Sequence, residues 1–300
     1  MTTSPRVVFF GNERLVSGLQ HTETPILRGL IEHEYNIVAI VVNDRDAMSR
    51  NARTLEVAEL AKEHPIPVLS PAKLSDIEQE LHDLQPDMAI LAAYGRIIPQ
   101  RIIDIFMPIG IINIHPSLLP HYRGSTPIES AILHGDTTTG VSIMQLTAGM
   151  DEGPIFVQQS VELSGYETKF ELYERLSQLG SKMLLEALPH IISGQTRPIP
   201  QRTDGVTYTT PLMKSDGMID PSTDTAVHIE RKVRAYLGFP KSRVSYHGND
   251  VIITSARVVE KPIDDALCVN CKQNSTLLVE SLIAPSGKLM SGDAYLRGLR

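Results

Sequence analysis

The chain has 300 residues, 42% hydrophobic and 21% charged, with a formal net charge of −7. That composition suits a globular protein with a sizeable core, and no apolar run approaches the roughly 18–20 residues of a membrane helix. A secretory leader, a disulfide framework and an aromatic nucleic-acid stacking platform are all unexpected with this N-terminus, two cysteines and no tryptophan, so a reducing cytosol is the expected compartment.

Val7 to Phe10 reads as a buried strand ending at Gly11, and Ile37 to Val42 as a second. Thr54 to Glu63 has helical spacing with Thr54 as a cap, Ile66 to Leu69 is a short strand, and Ser75 to Leu84 a further helix. Met88 to Ala92 and Gly110 to Ile114 are strands separated by a helical segment, Gln100 to Phe106. Strands that alternate with helices predict βαβ units, and in such sheets ligands bind beyond the carboxyl ends of the strands. Thr139 to Gln145 and Ile155 to Val161 follow as strands, then a long helix from about Thr168 to Ile192. A Pro-rich exit, Arg197 to Gln201, reads as a linker. Beyond it come one helix (Thr225 to Ala235) and Gly-punctuated β runs at Arg243–Tyr246, Val251–Val259 and Thr276–Ile283, the pattern of a small barrel. The expected division is 1–193, a linker over 194–206, and 207–300.

The first 205 residues carry 16 Lys and Arg against 25 Asp and Glu, whereas the remainder carries 12 against 10. Neither a G-x-G-x-x-G after the first strand nor a P-loop occurs, and H-E-x-x-H and G-x-S-x-G are absent as well. Polar residues interrupt a buried run at Ile111-Ile112-Asn113-Ile114-His115-Pro116. Asn113 and His115 are two apart and so project to one face of a strand, at its carboxyl end. Downstream, Asp151 stands in Gly149-Met150-Asp151-Glu152-Gly153-Pro154, where glycines allow a tight turn and close approach to a ligand. Cys268-Val269-Asn270-Cys271 is a lone CxxC between the barrel strands, without the second half a structural zinc site needs.

Asn113, His115 and Ser117 to Pro120, followed by Tyr122-Arg123-Gly124, Thr126-Pro127-Ile128, Gly135-Asp136 and Thr139-Gly140-Val141, resemble the folate-dependent formyltransferase family. The resemblance implies a Rossmann-like, mostly parallel sheet followed by an OB-like barrel. It implies Asn113, His115 and Asp151 as the catalytic trio and 10-formyltetrahydrofolate as co-substrate. It also implies folate contacts from Tyr94, Gly95, Arg96, Ile97 and Ile98, from Ser117, Leu118, Leu119 and Pro120, and from Gly153 and Pro154. C-terminal segments such as Pro285-Ser286-Gly287-Lys288-Leu289-Met290 and Tyr295-Leu296-Arg297-Gly298 are similar to the branch that formylates initiator methionyl-tRNA; a nucleotide amino sugar is the alternative acceptor. That branch implies a monomer, with Arg45, Arg50, Arg53 and Lys214 towards tRNA. The loop after Val42 is shorter than the family's and lacks lysine, one basic residue of the linker is missing, and Leu237-Gly238-Phe239-Pro240 replaces a Trp-containing stretch.

Transfer of a formyl group between nitrogens passes through a tetrahedral oxyanion. Asn113 is suited to donate to that oxygen, His115 to donate to it or protonate the leaving nitrogen, and Asp151 to favour the charged ring and take up protons through water. The chemistry needs neither a covalent enzyme intermediate nor a metal, and Ser117 reads as a loop-shaping hydroxyl.

Overall fold

The computed structural model describes residues 4–43 and 55–299. Side chains alternate along β1 (Arg6–Gly11) with period two. Val7 and Phe9 enter one core and Val8 and Phe10 another, so the strand is covered on both faces. The same alternation runs through β4 (Met88–Ala92) and β5 (Ile111–His115), while in β2 (Asn36–Val41) a register shift after Ile37 puts Ile37 and Ile40 in the same core. With the two-residue β3 (Val68–Leu69) they form the parallel part of a seven-stranded sheet. After a short β6 (Arg123–Gly124), β7 (Thr138–Gln145) and β8 (Ile155–Glu162) extend the sheet antiparallel. The order is β3-β2-β1-β4-β5-β7-β8, so the winding reverses between β1 and β4, where such sheets form a ligand crevice.

The helices are α1 (Pro25–Glu32), α2 (Glu56–Glu63), α3 (Glu78–Asp83), α4 (Gln100–Ile103), α5 (Pro127–His134) and α6 (Lys169–Ile192). Thr168 and Glu171 cap α6 reciprocally. Several elements depart from the sequence expectation. The third strand is confined to Val68 and Leu69, and the segment before Glu78 is a 3₁₀ turn, Leu74–Ile77. Likewise α4 gives way to a 3₁₀ turn over Asp104–Phe106. Leu55 takes the N-cap position of α2, and Thr54 lies outside the described residues.

Helix α1 is not among the elements expected from the sequence, although Thr24-Pro25 is a local start signal. Thr24 sits at the N-cap with φ 49° and makes no side-chain bond there. The cap comes from Glu13 instead, whose carboxylate accepts the N–H groups of Ile26 (2.9 Å) and Leu27 (2.8 Å). Gly29 lets α1 seat on α6, because a Cβ there would stand 2.9 Å from Ser181 Oγ.

Beyond α6 the chain returns as β9 (Tyr208–Thr209), pairing with β6, and then enters α7 (Ala226–Ala235). A five-stranded antiparallel sheet follows: β10 (Ser242–Tyr246), β11 (Asn249–Val259), β12 (Cys268–Cys271), β13 (Ser275–Ile283) and β14 (Leu289–Ser291). The last helix is α8 (Gly292–Gly298). Ile229 and Val233 of α7 pack with Val251, Leu277 and Leu282 of this sheet. The CxxC is not between strands but forms β12 itself. Residues three apart on a strand face opposite sides, roughly 10 Å apart, too far for a disulfide.

Glu13 is fully buried, and burial pushes its carboxyl up to about 7 despite the two N–H bonds. Its folded pKa exceeds the ordinary 4.5, so its contribution to stability is full below that value and is lost as pH rises towards 7. Unfolding free energies of wild type and Glu13→Gln, measured by urea denaturation, should therefore diverge with pH. Wild type should lose on the order of 3 kcal/mol relative to the variant between about pH 4 and pH 8. A pH-independent difference would contradict the assignment.

Candidate active site

Ile112 and Ile114 on β5 face the core that contains α6, which turns Asn113 and His115 to the other side of the sheet. Both polar side chains are buried. His115 Nε2 lies 2.9 Å from the Tyr122 carbonyl oxygen, so this nitrogen must carry a hydrogen and donate it. Nδ1 points the other way, 3.7 Å from Asp151 Oδ2. Only Nδ1 remains for proton transfer.

Asp151 lies in the β7–β8 connection at φ 48°, a left-handed conformation that turns its side chain back towards β5. Oδ2 accepts the Gly124 N–H at 2.8 Å, and Oδ1 accepts from Asn113 Nδ2 at 3.4 Å. That long bond occupies one amide hydrogen of Asn113 and leaves the other for a second acceptor. The structure thus brings Asn113, His115 and Asp151 together, 17% of the Asp151 side chain being exposed.

The 121–126 loop is held from several sides. Tyr122 N–H donates to Thr207 Oγ1 (2.7 Å) and its phenol to Asp136 (2.7 Å). Burial, together with the Asp136 carboxylate as its acceptor, pushes that phenol up. Gln201 reaches back from beyond α6: Nε2 donates to the carbonyls of Asp151 (2.7 Å) and Gly153 (2.8 Å), and Oε1 accepts from Arg123. Gln201 carries no sequence signal for this role, and Tyr122 and Gly124, present as motif positions, contribute through a main-chain carbonyl and N–H while Thr207 contributes its hydroxyl. The Pro-rich stretch before Gln201 reads as a connector, and main-chain donors leave no signature at all.

The residues expected to meet folate occupy varied positions. Ser117 is fully buried and its hydroxyl donates to the His121 carbonyl at 2.6 Å, which shapes the loop. Leu119 and Pro120 are also buried, and Leu118 is half-buried. Gly153 is held by Gln201, while the Pro154 carbonyl accepts the Gln145 N–H at 2.9 Å. In the loop after β4, Tyr94 and Ile98 belong to the core, Ile97 is 83% exposed, and Arg96 donates to the carbonyls of Pro71 and Ala72. Gly95 is open: a Cβ would meet only Asn43 Nδ2, at 3.7 Å. Among the described residues, Asn43 Oδ1 and the Tyr94 hydroxyl are buried without hydrogen-bond partners, in the same region as the exposed Ile97. Lys214 is exposed on a 3₁₀ turn, Lys214–Gly217, and Arg45, Arg50 and Arg53 lie outside the described residues.

Residues 11–188 match the formyl transferase family model, and residues 211–300 that of the formyl transferase C-terminal domain. A methionyl-tRNA formyltransferase of Chloroflexus aggregans is 42% identical over 238 residues, covering 77% of this chain and 76% of that protein. HypX from Aquifex aeolicus, solved in complex with tetrahydrofolic acid, aligns over 98% of this chain with a TM-score of 0.67 and 18% identity; the present chain spans 47% of that one. An N-formyltransferase from Helicobacter canadensis, in complex with folinic acid and dTDP-3-aminofucose, covers 91% of this chain and 98% of its own, with a TM-score of 0.70 and 16% identity. The two structures share the fold.

A Cβ on Gly153 would lie 1.9 Å from the Gln145 carbonyl oxygen, a main-chain atom that cannot swing aside. Gly153→Ala should therefore destabilise the protein by roughly 1–3 kcal/mol, the usual cost of overpacking. An unaltered denaturation midpoint would show that the β7–β8 connection is looser than the structure depicts.

Proposed function

The chain belongs to the formyl transferase family, and from that we propose that it carries a formyl group from 10-formyltetrahydrofolate to the α-amino group of methionine on initiator methionyl-tRNA. The observation that carries this reading is the convergence of Asn113, His115 and Asp151 in a chain so similar to a methionyl-tRNA formyltransferase. In the loop after β4, the open Gly95 and the exposed Ile97 offer a surface for the folate.

Two bonds change. The formyl carbon gains a bond to the amino nitrogen and loses its bond to the folate nitrogen, and the amine's proton ends on the latter. A free α-amino group has a pKa of about 7.7–8.0, so a useful fraction attacks as the neutral amine near pH 7. His115 Nδ1 is the site that takes the proton, because Nε2 is committed to the Tyr122 carbonyl. The imidazolium that results faces Asp151, which stabilises it by charge and keeps it oriented until the proton passes to the leaving nitrogen. The second N–H of Asn113 donates to the oxyanion, a contribution of about 2.7–4 kcal/mol by analogy with other oxyanion donors.

Purified protein incubated with 10-formyltetrahydrofolate and charged initiator tRNA should yield formylmethionyl-tRNA; turnover only with a nucleotide amino sugar would replace the acceptor assigned here. Asp151→Asn should slow single-turnover transfer on the order of 10²–10⁴-fold with folate affinity largely kept. His115→Asn should lose a similar factor, and the double variant little more, since the pair acts as one unit. Multiplying losses would separate the two roles. Changing Arg45, Arg50, Arg53 and Lys214 together to Ala should raise KM for tRNA and flatten its salt dependence, leaving KM for folate unchanged; equal KM values for tRNA would remove these residues from recognition.

A further inference from the structure

The two loops that complete the site come from distant parts of the chain, and one side chain joins them. The 121–124 loop supplies the Tyr122 carbonyl to His115 Nε2 and the Gly124 N–H to Asp151. The β7–β8 connection supplies Asp151 itself. Gln201 spends both amide hydrogens on the second loop, at Asp151 O (2.7 Å) and Gly153 O (2.8 Å). Its oxygen takes Arg123 Nε (3.1 Å) and Nη2 (2.8 Å) from the first. Its donors and acceptor lone pairs are all in use. Arg123 is itself buried, and its remaining nitrogen meets the Tyr208 hydroxyl at 3.1 Å and lies 3.6 Å from Glu152.

The distance between His115 Nδ1 and Asp151 Oδ2 is therefore set from both ends by groups that converge on Gln201. Asp151 adopts a left-handed φ of 48°, which costs energy for a residue with a Cβ and persists only where the surroundings impose it. Hydrogen bonds to its carbonyl and to that of Gly153 supply that constraint. We propose that Gln201 is a positioning residue for formyl transfer, holding the Asp151 carboxylate against His115 Nδ1 by tying the β7–β8 connection to the Arg123 loop. The proposal rests on the formyl-transfer reading above.

Gln201→Met keeps the length and bulk of the side chain and removes every hydrogen bond. Its kcat should fall roughly 10- to 100-fold, the scale of a catalytic group displaced by about 1 Å, while KM for folate changes little. Placed in an Asp151→Asn background, the same substitution should cost less than about threefold more, because its effect passes through the Asp151 charge. Equal losses in both backgrounds, or a wild-type kcat in Gln201→Met, would overturn the proposal. A second readout is independent of turnover: hydrogen exchange at the Gly124 amide, held by the Asp151 carboxylate, should accelerate in Gln201→Met while the amides of β4 and β5 keep their protection. Unchanged exchange at Gly124 would overturn the proposal too. Failure of wild type to formylate tRNA would refute the assigned acceptor, and the exchange experiment would still judge Gln201.

Discussion

A carboxylate placed where water is scarce must be met by donors, and the arrangement around Asp151 follows from that requirement. Its two oxygens receive one main-chain N–H from Gly124 and one side-chain N–H from Asn113, with His115 Nδ1 close by. None of these groups is near Asp151 in sequence. They meet because β7 lies antiparallel beside β5 with Gln145 opposite Ile112, so the connection leaving β7 starts at the amino end of β5 and runs back along the sheet face that carries Asn113 and His115. In the proposed transfer the same carboxylate is oriented before a proton arrives, so little reorganisation would remain for the reaction.

The C-terminal part of the chain is fastened to this assembly through main-chain acceptors. On α7, Arg231 donates to the His134 carbonyl (3.0 Å) and Arg234 to that of Glu167 (2.7 Å). The His134 ring in turn stacks on Tyr122, whose carbonyl anchors His115. Deeper in the same junction, Lys169 is fully buried and donates to the Phe239 carbonyl at 2.8 Å. Burial lowers its ammonium to about 8 although Glu129 stands 3.7 Å away, and burial likewise raises the Glu129 carboxyl. Such a pair is poor evidence for stability, since desolvation offsets the attraction. Its geometric effect is clear: an ammonium held by Ser17, Glu129 and Phe239 fixes how the 236–240 turn sits on the N-terminal part.

The regular elements that bury a continuous apolar face were legible in the sequence. The runs at β1, β2, β4 and β5 stand out because both faces of those strands are covered, and α6 carries its own capping box. Asn113 and His115 were legible for the same reason, as the polar exceptions on a buried strand. The remainder depends on partners far along the chain. Helix α1 has its cap on Glu13, and the strand expected over Ile66 to Leu69 is trimmed to the two residues that pair with Ile40 and Val41. The β7–β8 hairpin runs antiparallel because no crossover helix separates its strands. The Tyr122 carbonyl is a main-chain group, which residue type does not encode, and the Gln201 side chain meets partners about 50 and 78 positions away that no local pattern announces.

The proposed proton transfer turns on which nitrogen of His115 is free to take a proton. Long-range proton–nitrogen correlation spectra of protein labelled with ¹⁵N-histidine report that directly. The neutral ring should carry its hydrogen on Nε2, with Nδ1 showing the shift of a bare lone pair, and the Nε2 signal should keep the signature of a hydrogen bond to the Tyr122 carbonyl. A neutral ring protonated on Nδ1 would contradict the account, because the nitrogen facing Asp151 could not then accept the amine's proton.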